Sequence, residues 1–214
     1  EACLGAAIQT SWGMTELSPV GTVMPMFAER SPAVSGRVAV GVDLMVADSE
    51  GKPLPDQRDN EGHLHVRGAA VIDRYFGEPA RATDADGWFA TGDMARIDDE
   101  GNLRITGRAK YLIKSGGEWI NPAEIEAIVS ALPQVALAAV IGRPDPKWQE
   151  RPVLVVELRD PAVSDETLLG ALRGKVASWW VPDAVVRVDA MPLAGTGKID
   201  KLRLRAQHGA ASAA

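Results

Sequence analysis

Apolar residues come in short clusters through the first half of the chain, each interrupted by glycine, proline or acidic residues. The small and apolar run at 3–8 reads as a short buried strand, and the chain passes on to Gly13. Residues 19–36 then form a proline- and glycine-punctuated stretch. RVAVGVDLMVAD (37–48) reads as one or two strands, and SEGKPLPDQRDNEG (49–62) as loop. GHLHVRG (62–68) alternates with the period of a half-buried strand, and two further short strands flank the DDEG turn at 98–101. Many short strands with little helix predict a small barrel or sandwich up to about residue 106.

The pattern changes after Arg108. INPAEIEAIVSAL (120–132) opens as a helix should, with Asn121 as N-cap, Pro122 at the first helical position and Glu124 completing a capping box. Ile120, Ile125, Ile128 and Val129 supply its staple and buried face. QVALAAVIG (134–142) and RPVLVVELR (151–159) read as strands joined by a polar turn that carries Trp148. SDETLLGALRGKVASWW (164–180) reads as a second helix capped by Ser164, with Leu168, Leu172, Val176 and Trp179 on one stripe. AVVRVDA (184–190) is a strand and IDKLRLRAQ (199–207) a short helix. This half is an α+β unit with its own core, bounded near GRAK (107–110), and no internal repeat stands out.

Composition adds limits. The 214 residues suit one or two domains, and the 46% hydrophobic content is enough for a core. The net charge of −6 argues against non-specific nucleic-acid binding but leaves room for a locally basic anion site. Cys3 is the single cysteine, so neither an intrachain disulfide nor a thiolate metal cluster is expected. No apolar run approaches the roughly 20 residues of a bilayer span and no signal peptide is visible, so a cytoplasmic location is the expectation. A chain that opens on Glu1 and runs at once into apolar residues is expected to begin partway through a larger protein.

Several stretches carry candidate chemistry. GTGK (195–198) is not a nucleotide-triphosphatase loop, because Pro192 stands where the first glycine belongs and Ile199 follows the lysine. It places Lys198 on an exposed turn, which is either a surface feature or a mobile cation. KSGGEW (114–119) has two adjacent glycines, suited to close ligand approach or to a plain turn. Asp93 of TGD (91–93) is placed either to accept from a ribose diol or to cap a turn. His63 and His65 share a strand face without a third ligand nearby, which makes zinc a weak reading. There is no GxSxG motif, and no histidine arrangement supplies a convincing base.

WGMTE (12–16), DGWFATGD (86–93), GRAKYLIKSGGEWINPAEIE (107–126), PDPKWQERP (144–152) and PLAGTGKIDKLRLR (192–205) occur together, in an order and spacing that resembles the acyl-adenylate-forming enzymes. The wording of KSGGEWI and PKWQERP is most similar to fatty acyl-CoA synthetases of the medium- or long-chain type. The resemblance implies that 1–107 is the end of a large AMP-binding domain, a distorted β-barrel region. Residues 108–110 would be a hinge, and 111–214 a small mobile α+β domain. It implies an ATP-dependent ligase, inactive as this piece alone. A carboxylate would attack the α-phosphate of Mg-ATP to give acyl-AMP and pyrophosphate, and the thiol of coenzyme A would then displace AMP. A domain that loads a carrier-protein thiol, an aryl-acid or other acid–CoA ligase, and a purely structural module remain alternatives.

The resemblance also assigns roles. Trp12, where a tyrosine is usual, would stack on adenine, with Gly13 beside it. Thr15 would meet the α-phosphate, and Glu16 would hold Mg²⁺, a hard ion suited to carboxylate oxygen. Asp93 would grip the ribose hydroxyls, Arg108 would bind near ribose and phosphate, and Lys110 would lie at the hinge. Lys198 would enter for adenylation. Lys114, Ser115, Gly116 and Gly117 would line the channel for the pantetheine arm after the small domain rotates. Leu193 stands where arginine is common. The expected partners are a small carboxylic acid and coenzyme A. The resemblance leaves room for peripheral membrane contact and for a homodimer of the full-length enzyme, with no transmembrane segment and no nucleic acid.

Overall fold

The computed structural model describes residues 5, 8–26, 31 and 33–209. The strand expected over 3–8 falls largely outside them. The architecture is mixed α/β with little helix, in two compact units, Glu1–Ala109 and Lys110–Ala214.

In the first unit β1 (Ser11–Gly13), β2 (Val20–Val23) and β3 (Arg37–Val38) form one antiparallel sheet. A second sheet is a meander of β4 (Val42–Ala47), β5 (Gly62–Gly68), β6 (Phe89–Ile97) and β7 (Leu103–Arg108). The alternation of β5 is real: Leu64 and Val66 are buried, while His63 and His65 on the opposite face are half-exposed. Leu64 and Val66 pack with Trp12, Leu17, Val46, Ala95, Ile97 and Leu103.

The barrel expected from the sequence does not close among the described residues, because β4 and β7 are edges of the meander and do not pair with each other. The meander turns instead on a recurrent device. Asp48, Asp84 and Asp98 each accept backbone N–H bonds from the residues two and four ahead, at 2.8–3.1 Å. The residue three ahead is in each case a glycine with positive φ (Gly51, Gly87, Gly101).

The second unit contains the hairpin β8 (Ile113–Ser115) and β9 (Glu118–Ile120), then α1 (Pro122–Ser130), β10 (Val135–Asp145) and β11 (Gln149–Leu158). After these come α2 (Asp165–Gly170), β12 (Ala184–Arg187) and α3 (Lys201–His208). Asn121 caps α1, its Oδ1 accepting from the Ala123 N–H at 3.1 Å. β10 and β11 read as unbroken apolar runs because both their faces are covered. Val140, Leu154 and Val156 pack with Ile125, Val129, Leu168 and Leu172, while Ala139, Ile141, Val153 and Val155 pack with Met191 and Leu204.

The helix expected over 164–180 is a correction. Ser164 caps it as expected, its Oγ accepting from the Thr167 N–H at 3.2 Å, but the helix ends at Gly170 and only a 3₁₀ turn, Ser178–Trp180, follows. Gly170 weakens the helix interior and Gly174, at φ +74°, leaves it altogether. Trp179 is thereby exposed rather than packed on a stripe.

Candidate functional site

In the first unit the structure brings three motif pieces together on one carboxylate. Asp93, on β6, is 5% exposed. Its Oδ2 accepts from the Trp12 indole N–H at 3.0 Å, and its Oδ1 lies 2.7 Å from Arg108 Nε. Register explains the second contact, since Asp93 on β6 stands opposite Arg108 on β7. Arg108 also donates from Nη1 to the Thr91 carbonyl at 3.1 Å, and the Thr91 hydroxyl accepts from the Asp93 N–H at 3.1 Å. Burial makes ionised Asp93 costly unless it is paired, and these donors compensate it. The Arg108 side chain is 45% exposed.

Trp12 is more deeply set than a bare stacking platform. It is 9% exposed and belongs to the core, and the Gly21 backbone lies so close to its ring that a Cβ there would be 2.3 Å from Cζ3. Gly13 is required locally: a Cβ would stand 1.9 Å from the Pro19 carbonyl oxygen, which itself accepts from the Met14 N–H. Thr15 and Glu16 lie on the 3₁₀ turn Thr15–Leu17, with Thr15 exposed. Glu16 Oε1 accepts from the Tyr75 hydroxyl at 3.0 Å. Burial, followed by that bond to Glu16, raises the Tyr75 pKa. Among the described residues no group of three or more His, Cys, Asp or Glu could hold a metal by itself. Glu16 offers a single carboxylate, the kind of partial site a magnesium ion uses when phosphates and water complete its shell.

In the second unit Gly116 and Gly117 turn the β8–β9 hairpin, at φ +62° and +92°. Positive φ at both central residues is the demand of a type I′ turn, so the paired glycines have a local cause. They also have a second one, because a Cβ on Gly116 would lie 2.7 Å from Trp148 Cε3. Beside this turn lies a cavity of about 480 Å³ lined by Ser115, Gly116, Glu118, Trp148, Arg151, Trp179 and Asp183. Lys114 is outside that lining, its Nζ resting 5.5 Å from the Trp119 ring. The sequence reading missed Trp148, Arg151, Trp179 and Asp183 as neighbours of the glycine turn. The available signal was an arginine at 151, set at the head of the apolar run 152–156.

Lys198 sits on the exposed turn between the bridged residues Leu193 and Ile199, with Gly197 at φ +79°. The Ala194 N–H donates to the Lys198 carbonyl at 2.7 Å, while its ammonium has no partner among the described residues. Just beyond, Lys201 pairs with Glu126 at 2.6 Å and lies 4.9 Å from the Tyr111 ring, on which Lys110 also rests at 5.0 Å. The segment after Lys198 is thus anchored to α1 while Lys198 itself is held out.

Comparison with known proteins places the chain in a family. The profile of the AMP-binding enzyme family matches residues 1–76, and that of the AMP-binding enzyme C-terminal domain matches 124–198. The chain belongs to the AMP-binding enzyme family. It is 45% identical over 208 residues to the 3-methylmercaptopropionyl-CoA ligase of Ruegeria pomeroyi, covering 92% of this chain and 39% of that protein. It is 42% identical over 216 residues to the medium-chain-fatty-acid–CoA ligase of Ectopseudomonas oleovorans, covering 96% of this chain and 40% of that one. The crystal structure of ATP-bound MatB from Rhodopseudomonas palustris matches with a TM-score of 0.87 at 33% identity, over 96% of this chain and 41% of that chain. The chain therefore spans 39–40% of the length of these curated relatives.

Proposed function

We propose that the protein to which this chain belongs is an AMP-forming acid–CoA ligase acting on a medium- or long-chain fatty acid. The observation that carries the reading is the meeting of Trp12, Asp93 and Arg108, drawn from three separate motifs, on one buried carboxylate. In this reading 1–107 closes the large AMP-binding domain, 108–110 is a hinge with Lys110 in it, and 111–214 is the small mobile domain. The Asp93 carboxylate, fixed by Trp12 and Arg108, accepts from the ribose hydroxyls of ATP and AMP. Arg108 meets ribose and phosphate, the Trp12 ring meets adenine, and the Thr15 hydroxyl meets the α-phosphate.

Glu16 would give one oxygen to the Mg²⁺ that accompanies ATP, and that ion would offset phosphate charge. Lys198 neutralises the approach of carboxylate to phosphate, an anion-on-anion encounter in which a positioned cation is worth far more than in water. The acid's oxygen bonds to the α-phosphorus as pyrophosphate leaves, and the thiol of coenzyme A then displaces AMP to give the thioester. Ser115, Gly116 and Gly117 face the thiol's arm, with Lys114 beside them.

A second acid class has its own support: the 45% identity to a 3-methylmercaptopropionyl-CoA ligase favours a short thioether acid. An acid panel on the full-length enzyme separates the two readings through kcat/KM. The role of Lys198 is tested by Lys198→Ala. Adenylate formation, read as pyrophosphate release, should fall by roughly 10²–10³-fold, the loss typical of removing a preorganised charge-stabilising group. Thioester formation from supplied acyl-AMP should persist near the wild-type rate. Equal loss of both steps contradicts the assignment.

A further inference from the structure

Arg151 is the one arginine or lysine among the described residues lining the 480 Å³ cavity, which makes it the obvious candidate for binding an anion there. Its hydrogen bonds say otherwise. A guanidinium has five N–H donors, and each has an acceptor inside the fold. Nε and Nη2 grip the two carboxylate oxygens of Asp183 at 2.8 and 2.7 Å. Nη1 donates to the Ser115 hydroxyl at 3.1 Å and to the Trp179 carbonyl at 2.8 Å, and the second Nη2 donor reaches the Val181 carbonyl at 3.4 Å. The side chain is only 15% exposed. Its charge is balanced by Asp183, and Glu118 adds a second carboxylate to the lining.

We propose that Arg151 is a positioning residue for the thioester-forming half-reaction, a frame that fixes the walls of this cavity and is not itself a phosphate ligand. The contacts define the frame. From β11, Arg151 ties down the end of β8, where the Gly116–Gly117 turn begins, the 3₁₀ turn that carries Trp179, and Asp183 just before β12. The bonds to Ser115 and to the Trp179 carbonyl tie together two residues of the lining, while the paired bonds to Asp183 set the plane of the guanidinium. Apart from Arg151 and Asp183, the lining is Trp148, Trp179, Ser115, Gly116 and the acidic Glu118. Such a lining suits an uncharged, flexible, amide-bearing chain better than a phosphate. Lysine cannot replace the frame, since it has three donors on a point charge and no planar fork.

The proposal rests on the CoA-ligase reading, and its test separates the two. In the full-length enzyme, Arg151→Lys and Asp183→Asn are assayed for pyrophosphate release without thiol, and for thioester formation with CoA and with pantetheine, which lacks the nucleotide and its phosphates. We expect Arg151→Lys to raise KM by about tenfold for both thiols, a loss of about 1.4 kcal/mol. Pyrophosphate release should stay within about twofold of wild type. Asp183→Asn, which leaves the arginine in place but loosens its plane, should shift both KM values in the same direction by less. It keeps the test open should Arg151→Lys fold poorly. A KM change seen with CoA and absent with pantetheine overturns the proposal, because Arg151 then meets the phosphates. Parallel loss in both half-reactions, or no KM change in either variant, also overturns it. A wild-type enzyme that makes no thioester from either thiol overturns the ligase reading itself, and the proposal with it.

Discussion

Replacing each glycine of the β8–β9 turn by alanine separates backbone demand from cavity shape. Gly117 sits at φ +92° with nothing within 4 Å of where a Cβ would be. Gly117→Ala should therefore cost only the left-handed backbone penalty, about 1–2 kcal/mol. Gly116 is at φ +62°, and its added methyl would lie 2.7 Å from Cε3 and 3.0 Å from Cζ3 of Trp148. If the ring is held, overpacking adds about 1–3 kcal/mol to the same backbone term. Trp148 is 43% exposed, so it has a second option, which is to swing and narrow the cavity it lines. Gly116→Ala must then appear either as the larger loss in denaturant midpoint or as the larger rise in KM for CoA. Denaturant unfolding and thioester-forming kinetics of the two full-length variants read these outcomes. Variants indistinguishable in both measurements would refute the claim that Gly116 shapes this cavity through Trp148.

Trp12→Phe keeps an aromatic ring but removes the N–H that Asp93 Oδ2 accepts, in a place where Asp93 is 5% exposed. Denaturant unfolding should register about 1–3 kcal/mol, the cost of taking a donor from a buried acceptor. A change below about 0.5 kcal/mol, the size of an ordinary surface substitution, would mean the bond does not matter. His65 gives a pH dependence. Burial lowers its pKa, the nearby His63 lowers it further, and Asp84 opposes them. The fold thus favours neutral imidazole, so this group's contribution is present above its unfolded value of about 6.5 and is lost as pH falls through the lowered folded value. His65→Gln should flatten the fall in unfolding midpoint on acidification through that window, and an unchanged slope would remove His65 from the account.

Features written in contiguous residues were legible in the sequence. Asn121 and Pro122 announced α1, and the apolar runs at 134–142 and 151–159 announced β10 and β11, since capping and burial act on neighbours. Helix length after Ser164 was misread because apolar spacing outvoted Gly170 and Gly174, whose backbone freedom ends the periodicity. The barrel expectation failed because strand count is local information and closure is not. Motif spacing pointed to Trp12, Asp93 and Arg108, but the indole bond that joins them spans 81 residues and follows from no local pattern. The Arg151 frame was hidden for the same reason, its acceptors lying 28 to 36 residues away. The Asp–x–x–Gly turns at 48–51 and 84–87 are as readable as the DDEG turn at 98–101, for each is complete within five residues.

Isotope tracing of the acid's own oxygen tests the ligase account most directly. The full-length enzyme is given ATP, CoA and a fatty acid labelled with ¹⁸O in its carboxyl group, and the phosphorus products are analysed by mass spectrometry. If the acid attacks the α-phosphate and the thiol then displaces AMP, one labelled oxygen stays with the leaving nucleotide. The account predicts ¹⁸O in AMP and none in pyrophosphate. Label in inorganic phosphate, with ADP as the nucleotide product, would contradict it.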